Sequence, residues 1–340
     1  MKSARVSVII PTFNRAHLIG RALNSVLPQC REGDEVIVVD DGSTDGTEQV
    51  LAGYGNRIQY IRIHNSGAGS ARNRGLDAAG NELVAFLDSD DEWMPGKLEL
   101  QRSLLDARDD VLYCFSNFAV RDRYKNVTRR YLIHWHRDKR SWDEILAPGI
   151  RFSQIAPLPP GIEDFMVHVG DMYYAMAAAG YIFTGTVVVR REEAKEALRF
   201  AEDIPTYEDW VCFGRLAGKG MGAYLDCETA WQHGHTGERL TDADSYKCAT
   251  TRLTVLERVW GSDKDFLAQH AEYYQQIVEQ QYIIRAAGMI SRGDTSKARA
   301  ELAKVKKPPL THRLLAILPG VLARALVAGR RFVIRLLTGR

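Results

Sequence analysis

Residues 83–91 read Leu83-Val84-Ala85-Phe86-Leu87-Asp88-Ser89-Asp90-Asp91. Five apolar residues pass without a break into an acidic cluster. A short apolar run bounded by a polar turn is the pattern of a strand buried on both faces. The same pattern occurs twice upstream. Val6–Ile10 runs into Pro11-Thr12-Phe13-Asn14, and Val36–Val39 runs into Asp40-Asp41-Gly42-Ser43. Ile58–Ile63 and Val111–Phe118 read as two more strands. Helix signals lie between them. Ala16–Leu27 carries apolar residues at helical spacing. A second helix runs through Leu51, with Ser43 or Asp45 available to cap it. Ala68–Ala79 is closed by Gly80, and Pro95–Ala107 has Pro at its first position. Alternating β–α units with nearly all-apolar strands predict a parallel sheet covered by helices. Ligands of such sheets bind at the carboxyl ends of the strands. Here those ends carry Thr12, the Asp40-Asp41 pair and the Asp88–Asp91 cluster.

At 340 residues, the length suggests about two domains at roughly 150 residues each. An apolar fraction of 45% and a charged fraction of 26% exclude disorder, collagen and coiled coil as the main architecture. The net charge of +2 is unevenly spread. Glu301 is the last acidic residue, and residues 304–340 hold nine Lys or Arg, leaving 36 basic against 43 acidic residues before them. The five cysteines are scattered with no CxxC pair, which argues against a structural zinc site and for reduced thiols in a cytosol. Val6–Ile10 is too short for a signal-peptide core. No apolar run is long enough for a transmembrane helix, since Leu314–Gly329 is broken by Pro319 and Gly320 and holds Arg324.

Residues 119–180 mix basic, aromatic and Pro-rich pieces and read as a substrate-facing insertion. Strand and helix signals return at Ile182–Val189 and Glu192–Phe200. A helix is expected over Glu208–Leu216. A strand over Tyr224–Trp231 leads into His233-Gly234-His235, and amphipathic helices fill 245–303.

Acidic clusters at neighbouring strand ends would repel one another and raise each other's pKa. A divalent cation removes that conflict, and Asp88-x-Asp90 offers oxygen ligands suited to Mg²⁺ or Mn²⁺ bridging a diphosphate. The segment Ser66-Gly67-Ala68-Gly69-Ser70-Ala71-Arg72-Asn73 does not match a dinucleotide fingerprint. Arg72 stands where the third Gly should be, and the segment follows the third strand. A small-residue turn opening a helix still leaves N–H groups for phosphate.

Taken in order, Val8–Asn14, Val38–Thr47, Gly67–Gly75 and Phe86–Asp91 resemble the inverting family 2 glycosyltransferases of the GT-A fold. The resemblance covers residues 5–118. It implies an α/β fold of GT-A type, with a mostly parallel, Rossmann-like central sheet flanked by helices and a C-terminal helical extension. Residues 1–118 would be the nucleotide-sugar-binding half, 119–240 the acceptor-binding and catalytic-base half, 241–303 the helical extension, and 304–340 a basic amphipathic tail. Carried over residue by residue, Pro11, Thr12, Asn14, Asp40, Asp41, Arg72, Asp88 and Ser89 would line the donor site. Thr12 and Asp40 would meet base or ribose, and Arg72 would approach the diphosphate. Asp90, with Asp88, would hold the Mn²⁺ or Mg²⁺ ion. Glu208-Asp209-Trp210 resembles the family's acidic acceptor-side motif, with Asp209 as general base and Glu208 beside it orienting the acceptor. His233 falls where many members carry a His and would be a metal or phosphate contact, with His235 as its competitor.

The implied reaction moves a sugar from a nucleoside-diphosphate sugar, UDP by default, to a glycan or lipid-linked saccharide in polysaccharide or glycoconjugate synthesis. The alternative is a non-catalytic relative that binds nucleotide sugar or glycan. The Gln-x-x-Arg-Trp motif of processive synthases is absent, so single additions are expected. In the tail, Leu322, Leu326, Val333, Leu336 and Leu337 fall on one helix side, opposite Arg324, Arg331 and Arg335. That pattern reads as peripheral attachment to the cytoplasmic face of an anionic membrane, with docking on the protein itself or an oligomer contact as the alternatives. Nucleic acid is not expected as a partner. No nucleic-acid motif is present, and the acidic globule would repel a polyanion.

Overall fold

β1 (Val6–Thr12) is an interior strand of an 11-stranded sheet, and all seven of its residues are buried. The structure, a computed structural model, describes residues 4–136, 138–234 and 244–328. Two compact units divide the chain, Met1–Gly237 and Glu238–Arg340. The first holds the whole sheet. Its other strands are β2 (Glu35–Asp40), β3 (Gln59–Arg62), β4 (Leu83–Phe86), β5 (Glu92–Trp93), β6 (Val111–Arg121), β7 (Val127–Thr128), β8 (Ile150–Arg151), β9 (Met166–Gly170), β10 (Val188–Arg190) and β11 (Met221–His233).

Their order is β3-β2-β1-β4-β10-β6-β11-β9-β8, with β5 on β11 and β7 on β6. β1 pairs in parallel with β2 on one side and β4 on the other, in a register that sets Thr12 beside Asp40. The chain therefore turns opposite ways out of neighbouring strands, and a crevice opens at their carboxyl ends. Apolar strand residues explain the burial: Val8, Ile9, Ile10, Ile37, Val38, Val84 and Phe86 have no exposed surface. Helices α1 (Ile19–Val26), α2 (Thr47–Ala52), α3 (Ala68–Ala78) and α4 (Lys97–Ala107) follow the strands. Helix α3 packs so tightly on β1 that a Cβ at Gly75 would come within 2.4 Å of Ile9 Cγ2.

Several elements differ from the sequence reading. Val111–Phe118 does form a strand, but not beside Leu83–Phe86. The three residues of β10 sit between them, antiparallel to both. The apolar pattern identifies a buried strand without naming its partner. Thr184–Thr186 turns as a 3₁₀ helix, which shortens the Ile182–Val189 strand to β10. Glu192–Phe200 holds only a short helix and a 3₁₀ turn, interrupted where Lys195 takes a positive φ of 42°. The helix expected from Pro95 starts at Lys97, because Gly96 is left-handed at φ 85°. All five cysteines lie outside disulfides.

The second unit is helical among its described residues. Ser245–Leu256 is capped by the Asp244 carboxylate, which accepts from the Tyr246 and Lys247 amides. Lys264–Arg292, Thr295–Leu302 and Leu310–Ile317 follow, and residues 320–328 are helical again. Their core gathers Ala286, Met289, Ile290, Ala298, Leu302, Ala316 and Ala323. No helix among the described residues is long and apolar enough to cross a membrane.

Candidate active site

The carboxyl ends of β1, β2 and β4 form one wall of the crevice, and the start of helix Glu208–Ala217 forms the other. Asp40 has no exposed surface, and both its oxygens are engaged within the protein. Oδ1 accepts from the Ser43 amide at 2.8 Å and Oδ2 from the Tyr60 hydroxyl at 3.0 Å. Burial first, then the bond to Asp40, pushes the Tyr60 phenol up to about 12. Asp41 is nearly as buried and accepts the Ser66 and Gly67 amides at 2.7 and 2.8 Å. It thereby holds the turn into α3, where Gly67 takes a φ of 95° that only glycine adopts without strain. Asn14, itself left-handed at φ 52°, accepts the Thr44 amide on its side-chain oxygen and donates its own amide to Ser43 Oγ. The turns after β1 and β2 are thus tied into one floor. Pro11 is buried opposite Val39. Thr12 is 3% exposed, and its Oγ1 has no hydrogen-bond partner among the described residues.

Arg72 links the two walls. One end nitrogen donates to Asp88 Oδ1 at 2.6 Å and the other to Glu208 Oε1 at 2.8 Å. The side chain is 6% exposed, and its guanidinium lies 5.2 Å from the centre of the Phe200 ring. A forked guanidinium suits this bridge, since each arm meets a different carboxylate. Burial alone would lower its pKa, but Asp88 and Glu208 outweigh that and hold it charged. Asn73, one residue on, fastens α3 to the segment before Glu208 through Phe200 and Glu202.

Asp209 follows Glu208 on the same first turn. Its Oδ1 accepts the Trp210 amide, and Thr184 Oγ1 approaches Oδ2 at 3.4 Å. Burial, then the charge of Glu208, pushes its carboxyl up to about 7, while Arg72 pulls the other way. Tyr207, just before them, is held left-handed at φ 65°. A non-glycine residue there is strained, and strain of this kind gathers at functional sites.

Asp88, Ser89 and Asp90 lie together at the end of β4. Asp90 Oδ2 stands 3.8 Å from Arg15 Nε, and its carbonyl accepts from Arg21. Asp91 is directed away from this group, toward the His233 amide. The His233 ring faces Glu92 at 3.0 Å, and burial, ahead of the charge of Arg21, lowers its pKa. Among the described residues, no three His, Cys, Asp or Glu side chains form a ready metal cluster, so His233 is not gathered with Asp88 and Asp90. His235 lies outside the described residues. Two carboxylates fit a hard cation that completes its shell with phosphate oxygens and water. Sequence reasoning missed Tyr60, Thr184, Phe200 and the Arg15 contact. Only the alternation of β3 hinted at Tyr60, and nothing local marked the others.

Known proteins resemble this chain in sequence and in fold. Residues 7–156 match the model of glycosyl transferase family 2. Those residues form a family 2 glycosyltransferase domain. It is 31% identical over 217 residues to the amylovoran biosynthesis glycosyltransferase AmsB of Erwinia amylovora, covering 62% of this chain and 63% of that protein. It is 45% identical over 119 residues to the putative teichuronic acid biosynthesis glycosyltransferase TuaG of Bacillus subtilis, covering 34% of this chain and 47% of that protein. An uncharacterized glycosyltransferase of Rickettsia typhi is 40% identical over 115 residues, and the chain spans 36% of its length. Residues 1–349 of S. aureus TarS, solved in complex with UDP-GlcNAc, superimpose with a TM-score of 0.55 at 18% identity, covering 88% of each chain. At that identity the likeness shows the GT-A fold alone.

Proposed function

We propose that the protein is an inverting glycosyltransferase that moves a sugar from a nucleoside-diphosphate sugar to a hydroxyl of a glycan or lipid-linked saccharide, in the synthesis of a polysaccharide or glycoconjugate. The observation that carries this reading is the Arg72 bridge, which ties Asp88 on the donor side to Glu208 on the acceptor side. Beside that bridge stands Asp209, a carboxyl whose pKa is raised to about 7, where a base can accept a proton and still be regenerated. UDP is the default nucleotide, because S. aureus TarS is seen with UDP and with UDP-GlcNAc. The unpartnered Thr12 hydroxyl supports a polar ligand at the end of β1, since a buried hydroxyl without a partner is costly.

In this reading Asp40 and Asp41 shape the nucleotide pocket through the turns they hold, with Pro11, Asn14 and Ser89 in its lining. Asp90 and Asp88 would hold Mn²⁺ or Mg²⁺, and the ion would supply charge compensation for the leaving diphosphate. Asp209 takes the proton of the acceptor hydroxyl as its oxygen attacks the anomeric carbon. The bond from that carbon to the diphosphate oxygen breaks, and the nucleoside diphosphate leaves with the bonding pair. Glu208, fixed by Arg72, orients the acceptor. The C-terminal tail brings the enzyme to an anionic membrane surface, where a lipid-linked acceptor resides.

Thermal stabilisation by UDP-, GDP- and dTDP-sugars with Mn²⁺ tests the reading. A donor present at about 100 times its Kd adds roughly 2.7 kcal/mol of stability, a clear rise in melting temperature. Stabilisation by none of them would sink the proposal. Asp90→Ala is expected to abolish metal-dependent turnover and metal-enhanced donor binding while the melting temperature of the free protein holds. Titrating Mn²⁺ against donor affinity in both proteins reads this out, and an unchanged Mn²⁺ dependence would remove Asp90 from the metal site.

A further inference from the structure

Leu310–Ile317 and the helical residues 320–328 are separated by Leu318 and Pro319. Each stretch turns small or partly buried residues inward. Ala316 and Ala323 are almost fully buried in the core of the helical unit, with Leu315, Leu318 and Val327 packed against it. Six other large apolar side chains are left outside. Leu310, Leu314, Ile317, Val321, Leu322 and Leu326 are 52–82% exposed. Within one short stretch, these six are all the exposed large hydrophobic residues described beyond residue 221. Docking has thus not hidden the apolar surface of the tail but has fixed and displayed it.

Charge selects the occupant. Lys306, Lys307, Arg313 and Arg324 are exposed in the same stretch of chain, and no acidic residue follows Glu301. A second copy of the chain would bring the same positive charge to the face and repel it. An anionic bilayer meets both features at once, since acyl chains take the apolar side chains and headgroups take the lysines and arginines. We propose that the tail docks and attaches at the same time: its alanine face seats on the helical unit, and the face bearing Leu314, Ile317, Leu322 and Leu326 enters the headgroup boundary of an anionic leaflet. This deepens the functional reading above and rests on it for the lipid-linked acceptor. The membrane surface itself stands on the tail alone.

Flotation of the full chain with vesicles of 30% phosphatidylglycerol and 70% phosphatidylcholine tests it. The quadruple variant Leu314→Ser, Ile317→Ser, Leu322→Ser, Leu326→Ser should need at least about tenfold more lipid for half binding, since each side chain contributes apolar transfer energy. Its melting temperature and its stabilisation by UDP should stay as in the parent. Pure phosphatidylcholine, or 0.5 M salt, should also weaken parent binding. Equal binding by parent and variant, no binding by the parent, a lowered melting temperature in the variant, or a dimer broken by these substitutions would each overturn the proposal. Failure of UDP to stabilise either protein would instead overturn the transferase reading and leave the vesicle result standing.

Discussion

Asp209→Asn is expected to lower turnover by about 10²–10⁴-fold, the usual contribution of a positioned general base. The amide keeps the shape of the carboxylate and can still meet the Trp210 amide and Thr184, so the fold should survive. The direction of the stability change follows from the raised pKa. In the unfolded chain Asp209 ionises near 3.8, the ordinary aspartate value, and in the fold at about 7. Between those values the folded state binds more protons than the unfolded one. Stability therefore falls as pH rises from about 4 to about 7, and the full cost is present above 7. Replacing the carboxyl by an amide removes that cost, so above pH 7 the variant should melt at or above the parent temperature. The parent's kcat/KM should fall on the acid side as pH drops through about 7, where the base is protonated. The variant should lose that limb. Retained turnover in the variant, or a parent profile flat from pH 5 to 8, would rule Asp209 out as the base.

Arg72→Ala should be the most destabilising single change in the site. It strips the counter-charge from Glu208, which is 10% exposed, and from Asp88. Breaking one partner out of a buried ion pair costs about 3–5 kcal/mol, because the charges left behind stay desolvated. Arg72→Lys should rescue little, since an ammonium on one stem cannot reach both carboxylates as the fork does. The triple variant Arg72→Met, Asp88→Asn, Glu208→Gln should recover most of the lost stability and none of the activity, because no charge is stranded. Denaturant unfolding of the three proteins separates these outcomes. A parent-like Arg72→Ala midpoint would mean that the bridge contributes nothing to the fold.

These predictions rest on groups that the sequence makes visible to different degrees. The β1, β2 and β4 strands were legible because a strand buried on both faces must be apolar throughout, and the acidic turns after them mark where such strands end. Asp88, Asp90 and Arg72 stood out for the same reason: charge directly beside buried strands needs a purpose. The position of β10 was not legible. Three residues pair with strands about 100 and 75 positions earlier, and apolar pattern carries no information on pairing. Nor were the partners of the Asp40-Asp41 pair. Asp40 reads as a base or ribose contact and Asp41 as shaping that pocket; in the fold one anchors Tyr60 and Ser43 and the other holds the turn into α3. Contacts between residues this far apart in the chain arise only once the sheet has closed.

The tail shows the same split. Composition alone determined that it is basic, apolar and free of acid after Glu301. Helical spacing also separated Leu322 and Leu326 from Arg324. Attachment to a membrane and docking on the protein remained alternatives, and Arg331, Val333, Arg335, Leu336 and Leu337 lie outside the described residues. Packing divided the described part by face. Ala316 and Ala323 allow the close approach of one helix to another, with Leu315, Leu318 and Val327 packed beside them, while Leu314, Ile317, Leu322 and Leu326 are left outside. Local pattern and composition thus encode the strand–helix alternation, the charged strand ends and the charge of the tail. Which carboxylates share Arg72, which histidine meets Glu92 and which face of the tail is exposed depend instead on residues that folding brings together from distant parts of the chain.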